Sequence, residues 1–394
     1  MKLRKDKWKS LTLDEACTFV RGVVFSTKDE VDSGGYAILR SHNVDFENSK
    51  VSLHNLKYVS DTVKVKDSQR LLKNDVLVSV ANSKEQTGKV GFSYEDTNSY
   101  AGGFMAILKP KETIHPFYLF TYLLTDKSKD FIAGRTQGTT NIFNITFERI
   151  KDLKIPLPPL EEQKQIAALF QSIETAIEQV EVQEKNLLNL KNKLLGELCG
   201  EKQQFGKTLR KDDFETVKFD NIAFCISERV EPQKTDLLTY VGLEHLDPDN
   251  LVIERTGVPD DVIGTKLKIY KGDIIFGKRR AYQRKVAVSH FDGIASAHSM
   301  ILRANDDNIE KDFLPFFMQS DVFMNRAVQI SEGSLSPTIK WKTLASQEFS
   351  LPKKEKQKEL TAVFKQFDVT RIQLKQQKVT LQNLKQKLLS EILG

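Results

Sequence analysis

NLLNLKNKLLGELCG (Asn186–Gly200) returns as TLQNLKQKLLSEILG (Thr380–Gly394). The likeness runs backwards from there. Ile155–Gly200 and Phe349–Gly394 align without a gap at an offset of 194 residues, with 18 of 46 positions identical, among them Leu157/Leu351, Pro158/Pro352, Glu161/Glu355, Gln163/Gln357 and Leu190/Leu384. Such agreement means a tandem duplication whose second copy closes the chain. The long segments before the two endings share a skeleton and little else. Two unlike globular units on two like rods is the arrangement to explain.

From Glu161 the apolar residues Ile166, Leu169, Ile173, Ile177, Val180, Leu187, Leu190, Leu194 and Leu198 step by three, four or seven. That is the seam of a coiled coil. The second ending repeats it with Leu360, Val363, Phe367, Leu374, Leu381, Leu384, Leu388 and Ile392. PLPPL (Pro156–Leu160) sets a rigid extended turn before the first rod, and the Glu-rich first turn suits the helix dipole. Neither stripe can be buried alone, so the economical solution packs the rods on one another; a partner helix is the alternative. A pseudo-two-fold relation between the copies would make the rods antiparallel and bring the N- and C-termini close.

The globular halves read as mixed α and β. Asp75–Val80 pairs across the repeat with Asp273–Gly277, Met105–Leu108 with Ser299–Leu302, and the opening Trp8–Asp14 with Phe214–Asp220. Apolar helical stretches follow around His115–Ile132 and Lys311–Val328. The expected class is α+β, with units at 1–160 and 209–354, rods at 161–200 and 355–394, and a polar linker at 201–208.

Composition narrows the function. A formal charge of +6 and 40% hydrophobic residues describe a globular, mildly basic chain that permits a polyanionic partner without requiring one. Cys17, Cys199 and Cys225 show no CxxC spacing, which fits a reduced compartment. The basic N-terminus has no apolar run behind it, and no stretch is long and apolar enough to span a membrane, so the cytoplasm is expected. Searches for chemistry return nothing. GEKQQFGKT (Gly200–Thr208) has the wrong glycine spacing for a phosphate loop, and the six histidines lack metal-ligand spacing. No glycine-rich cofactor loop is present, PLPPL is not an amino-methyltransferase motif, and VDFENSK (Val44–Lys50) is not a nuclease site.

What remains is basic and polar loops. GKRRAYQRK (Gly277–Lys285) follows an expected strand and sets Lys278, Arg279, Arg280, Arg284 and Lys285 around Tyr282. Arginine is the commonest bidentate reader of guanine, and lysine neutralises phosphate. A solvated basic turn is the plain alternative. The matching loop of the first half, ANSKEQTGK (Ala81–Lys89), offers Asn82, Lys84, Gln86 and Lys89. LRSHNVD (Leu39–Asp45) and LEHLD (Leu243–Asp247) add Arg40, His42, Asn43, Glu244 and His245, and GRTQGTTN (Gly134–Asn141) lies opposite SEGSLSPT (Ser331–Thr338). Each of these loops reads equally well as an ordinary turn.

Two variable units, two repeated rods and the junction PLPPLEEQKQI (Pro156–Ile166) together resemble the DNA-specificity subunit of type I restriction–modification enzymes. FGKRRAYQRK…FDGIASAHSMIL (Phe276–Leu302) resembles one class of its target-recognition domains. The second junction, LPKKEKQKEL (Leu351–Leu360), departs from the family pattern. The resemblance implies a non-catalytic subunit that binds an asymmetric bipartite site in double-stranded DNA. Two methyltransferase subunits would dock on the rods, with restriction and translocase subunits beyond them. S-adenosylmethionine, ATP and magnesium would be held by those partners and none by this chain. A helical scaffold whose globular ends bind other proteins is the competing reading, and an enzyme with an unrecognised site is the third.

Overall fold

The fold follows from a computed structural model that describes residues 5–45, 48–138, 142–199, 209 and 211–394. The linker 201–208, the motif Gly200–Thr208 and parts of the stretches Val44–Lys50 and Gly134–Asn141 lie outside the described residues. Two compact units are present: Met1–Val180 together with Gln377–Gly394, and Glu181–Gln376. Two 40-residue helices, Leu160–Cys199 and Lys354–Leu393, each contribute to both.

Each unit is built on a four-stranded antiparallel sheet in one order. In the first the strands are Cys17–Arg21, Met105–Pro110, Val76–Ser79 and Val90–Phe92; in the second, Ala223–Ile226, Met300–Ala304, Ile274–Phe276 and Val286–Val288. Leu108 lies opposite Val76, and Leu302 opposite Ile274, so the register repeats as well. The strands other than Cys17–Arg21 and Ala223–Ile226 are largely buried, which is why they read as short apolar runs without alternation. The opening strand of each unit pairs with the strand before its long helix: Lys9–Thr12 with Lys154–Leu157, and Phe214–Lys218 with Glu348–Pro352.

The expected helical stretches each break in two, into Pro116–Leu123 and Asp126–Ala133, and into Phe313–Gln319 and Asp321–Gln329. The break comes from a capping hydroxyl. Thr125 Oγ1 accepts from the Ser128 N–H and Ser320 Oγ from the Phe323 N–H, each at 3.2 Å.

A second sheet keeps a parallel pair in both units and differs at its flanks. In the first, Lys57–Val59 pairs with Tyr36–Leu39, which runs parallel to Ser99–Ala101. In the second, Lys266–Ile269 pairs with Gly293–Ala295, which runs parallel to Tyr240–Val241. Arg70 bridges to Tyr100 in the first unit where Lys266–Ile269 pairs in the second, and Tyr240 bridges to Gly257 in the second where Lys57–Val59 pairs in the first. The copies thus share this sheet's order and differ in which flank is extended.

The long helices close both cores. Ile166, Phe170, Ile173 and Ile177 join Leu389, Ile392 and Leu393 in the first unit, while Leu195 and Leu198 join Phe364 in the second. In each unit the beginning of one helix meets the end of the other, so the helices run antiparallel. In the first unit the chain ends also meet, since Lys5 Nζ donates to the Glu391 carbonyl at 2.7 Å.

Ile166, Ile173, Ile177, Val180, Leu198 and Ile392 are buried as the apolar count expects, but the count misplaces other positions. Leu190, Val363 and Leu384 were expected inside but are 56%, 46% and 43% exposed. Phe170, Leu195, Phe364 and Leu389 are buried instead, with polar Gln163, Glu174, Lys191 and Gln357 among them. Counting only apolar residues shifts the stripe to a neighbouring row wherever the true seam holds a polar side chain.

Those polar residues repeat their contacts. Gln163 Nε2 donates to the Pro158 carbonyl at 2.9 Å, and its Oε1 accepts from the His115 N–H at 2.8 Å. Gln357 does the same with the Pro352 carbonyl at 2.7 Å and the Glu310 N–H at 2.8 Å. The altered second junction thus keeps its geometry through one retained glutamine. Deeper in the seam Lys385 pairs with Glu174 at 2.5 Å in the first unit, and Lys191 with Asp368 at 2.7 Å in the second.

Candidate nucleic-acid interface

In both units the loop after the third-ranked core strand runs beside the same return segment. Ala81–Asn82 pairs with Phe143–Asn144, which pairs with Gln137–Gly138. Arg279 bridges to Thr338, and Thr338 to Glu332. Asn144 and Thr338 are 194 positions apart, the offset of the repeat. Equivalent core strands therefore deliver two loops of different sequence.

In the second unit the loop forms a one-turn helix, Ala281–Gln283, between two residues in the left-handed region, Arg280 (φ 58°) and Arg284 (φ 55°). Non-glycine residues adopt that region at a cost, and surrounding contacts must hold them there. Ala281 is buried beneath the turn, and the Arg280 N–H donates to the Pro337 carbonyl at 2.8 Å. Tyr282 is 56% exposed at the apex. Ser336 Oγ accepts from Arg279 at 3.1 Å and Arg280 at 3.4 Å, which brings the two guanidinium groups together. Arg279 also meets His298 Nε2 at 3.1 Å. Burial, followed by the nearby cations Arg279, Lys278 and Lys266, holds His298 below its usual range. A neutral ring can then accept from Arg279.

Arg284 and Lys285 are engaged within the fold. Arg284 donates to Asp249 at 2.8 Å, Asp321 at 2.9 Å and the Gln319 carbonyl at 2.6 Å, which ties the loop down. Lys285 Nζ donates to the Leu243 carbonyl at 2.6 Å. Asn43 is likewise structural. It is fully buried; Oδ1 accepts from the Arg40 N–H at 2.9 Å, and Nδ2 donates to the Ser52 and His54 carbonyls at 3.1 and 2.8 Å. His245 holds the matching place in the second unit, with Nδ1 accepting from the Gly242 N–H at 3.0 Å. Asn and His suggested base edges, but both close a turn. Glu244 beside it is exposed and could accept only from a base amino group.

The first unit gathers His42, Asn82, Gln86 and Lys89 around one open recess of about 600 Å³, with Ser41, Val44 and Asp45 completing its wall. Arg40 meets His42 Nε2 at 3.2 Å at its margin, and Lys84 is exposed on the same loop. Burial holds Lys89 below the usual lysine range. Thr87 Oγ1 pins this loop through the Ser83 carbonyl at 2.8 Å and the Phe143 carbonyl at 3.2 Å. Sequence reading missed His298 and the tie made by Ser336. The polar Gly-bearing loop Ser331–Thr338 was the available signal for the second. Among the described residues no His, Cys, Asp and Glu cluster could hold a metal ion, and no helix is long and apolar enough to cross a membrane.

A model of the type I restriction modification DNA specificity domain matches residues 5–190 and again 249–383. The chain belongs to that family. It is similar to the putative type I restriction enzyme MjaX specificity subunit of Methanocaldococcus jannaschii, 26% identical over 98% of this chain and 93% of that one. The MjaVIII specificity subunit of the same organism is also 26% identical, over 70% of this chain and 69% of its own length. The fold matches the crystal structure of a type I restriction–modification system S subunit from M. genitalium, with a TM-score of 0.58 at 17% identity over 100% of this chain and 98% of that one. The specificity family thus accounts for both units and both long helices, and it places the chain on the non-catalytic side of these enzymes.

Proposed function

We propose that this chain is the DNA-reading subunit of a type I restriction–modification complex. Each unit reads one half of an asymmetric, bipartite site in double-stranded DNA. The long helices set the gap and provide the platform for two methyltransferase subunits, with restriction and translocase subunits joining through them. S-adenosylmethionine, ATP and magnesium belong to those partners, and the complex works in the cytoplasm. One observation carries the reading: equivalent strands in two copies of one core present loops of different chemistry beside the same return segment. Unlike loops on like cores select unlike half-sites, and fixed separation makes binding bivalent and spacing-dependent.

The test uses purified chain with and without its methyltransferase partner. The chain alone, given S-adenosylmethionine, ATP, magnesium and duplex DNA, neither methylates nor cleaves. Its DNA affinity falls steeply with salt, by about 0.9 logarithmic units per phosphate contact for each tenfold rise. Turnover by partner-free protein, or affinity indifferent to salt, sinks the proposal.

A further inference from the structure

The second unit holds a cavity of about 490 Å³ under the reading loop, walled in part by Cys225, Lys278, Ser299 and Trp341. Its lining contains four cations and no carboxylate. Two of the cations are engaged: Lys266 Nζ donates to the Ile263 and Gly264 carbonyls, and Lys340 pairs with Glu332 at 2.7 Å. The side chains of Lys278 and Arg229 have no acceptor among the described residues. Ser299 Oγ is buried and also unpartnered. Burial holds Lys278 below the usual lysine range, as expected of an ammonium that has lost water and gained no anion.

The equivalent place in the first unit holds an aromatic pair. Phe19, on the strand that matches Ala223–Ile226, stacks on Phe147 with ring centroids 4.8 Å apart. Phe147 stands 194 positions before Trp341, and Cys225, opposite Leu302, takes the place of Phe19, opposite Leu108. The smaller side chain opens the space, and the wall supplies charge. A partly desolvated cation gains when an anion joins it. Half-buried Lys278, exposed Arg229 and the buried Ser299 hydroxyl are three unused donors on one lining, which suits the oxygens of one phosphate group.

We infer that this cavity seats one backbone phosphate of the DNA, held by Lys278, Arg229 and Ser299. The inference rests on the DNA-reading function proposed above. Lys278 directly precedes Arg279 in the chain, so the seated phosphate fixes the register of the bases that Arg279 and Arg280 face. A free phosphate ion offers the same chemistry, and the experiment separates the two sources.

Duplex carrying the mapped target is titrated against the full chain across a salt series, for wild type, Lys278→Gln, Arg229→Gln and Cys225→Phe. The last variant keeps every charge but fills the cavity as Phe19 does in the first unit. Each charge variant should reduce the salt slope by about 0.9 and weaken all sequences by the same factor. Cys225→Phe should reproduce the lysine variant. In parallel, inorganic phosphate is tested for raising the unfolding midpoint of each protein. Unchanged slopes in all three folded variants overturn the inference. If phosphate raises the midpoint of wild type alone while the slopes stay equal, the ligand is a free anion and the DNA assignment falls. Wild-type protein with no salt-dependent DNA binding overturns the functional reading itself, and the phosphate arm then decides the anion site separately.

Discussion

Arg280 and Arg284 share a loop and a left-handed backbone, yet they do different work. Arg284 spends its donors on Asp249, Asp321 and the Gln319 carbonyl, whereas the exposed Arg280 side chain has, among the described residues, a 3.4 Å contact with Ser336. Arg284→Ala should therefore cost about 2–3 kcal/mol of stability, because it leaves carboxylates without their partner. Arg280→Ala should stay within about 0.5 kcal/mol of wild type. On DNA the order reverses: Arg280→Ala should lose about 1–3 kcal/mol of discrimination at one half-site and leave the other intact. Denaturant unfolding and binding to single-base target variants measure both. Equal effects of the two substitutions in both assays would show that this loop does not divide into anchor and reader. The basic loop was legible in sequence as residue types. The division was not, since the anchoring carboxylates lie 35 and 37 positions away.

At the scale of elements, heptad spacing located both long helices to within a residue of their observed starts. Their inward face was legible at most positions but missed at Leu190, Val363 and Leu384, because the seam admits Lys191, Glu174 and two glutamines. A buried pair fixes alignment better than it adds stability, since desolvation offsets its attraction. Lys191 is 4% exposed and Asp368 23%. Lys191→Met alone should cost about 2–4 kcal/mol, less than a fully buried pair, because water partly reaches the stranded Asp368. Lys191→Met with Asp368→Leu should recover most of that loss. Chemical denaturation of the two single variants and the double decides the point. Additive losses would mean that the pair is not a coupled unit. Phe170→Ala and Phe364→Ala, at equivalent places, should each cost about 3–5 kcal/mol.

For the whole molecule, duplication and the junction motif made the plan legible, because repeated segments preserve spacing even where side chains diverge. The second sheet was not legible; its strands run only two to four residues. The seam adds a condition to any length experiment. From Glu174 to Lys191 is 17 residues forward, and from Lys385 to Asp368 is 17 residues back. An insertion in one helix must break the alignment of one pair. Matched heptads after Ile177 and Arg371 preserve both and add about 10 Å of helix. On DNA rising about 3.4 Å per base pair, the gap between half-sites should grow by roughly three base pairs with both half-site sequences unchanged. A working variant with an unchanged gap would remove the helices as the ruler.

The central claim is that two unlike loops on one repeated core read two unlike half-sites. Mapping methylated adenines across the genome of a host that carries this chain and its methyltransferase subunits tests it most directly. The account predicts one asymmetric motif in two parts with a fixed non-specific gap, and with Arg280→Ala only one part becomes degenerate. A palindromic or continuous motif, or methylation that persists unchanged when this chain is deleted, would contradict it.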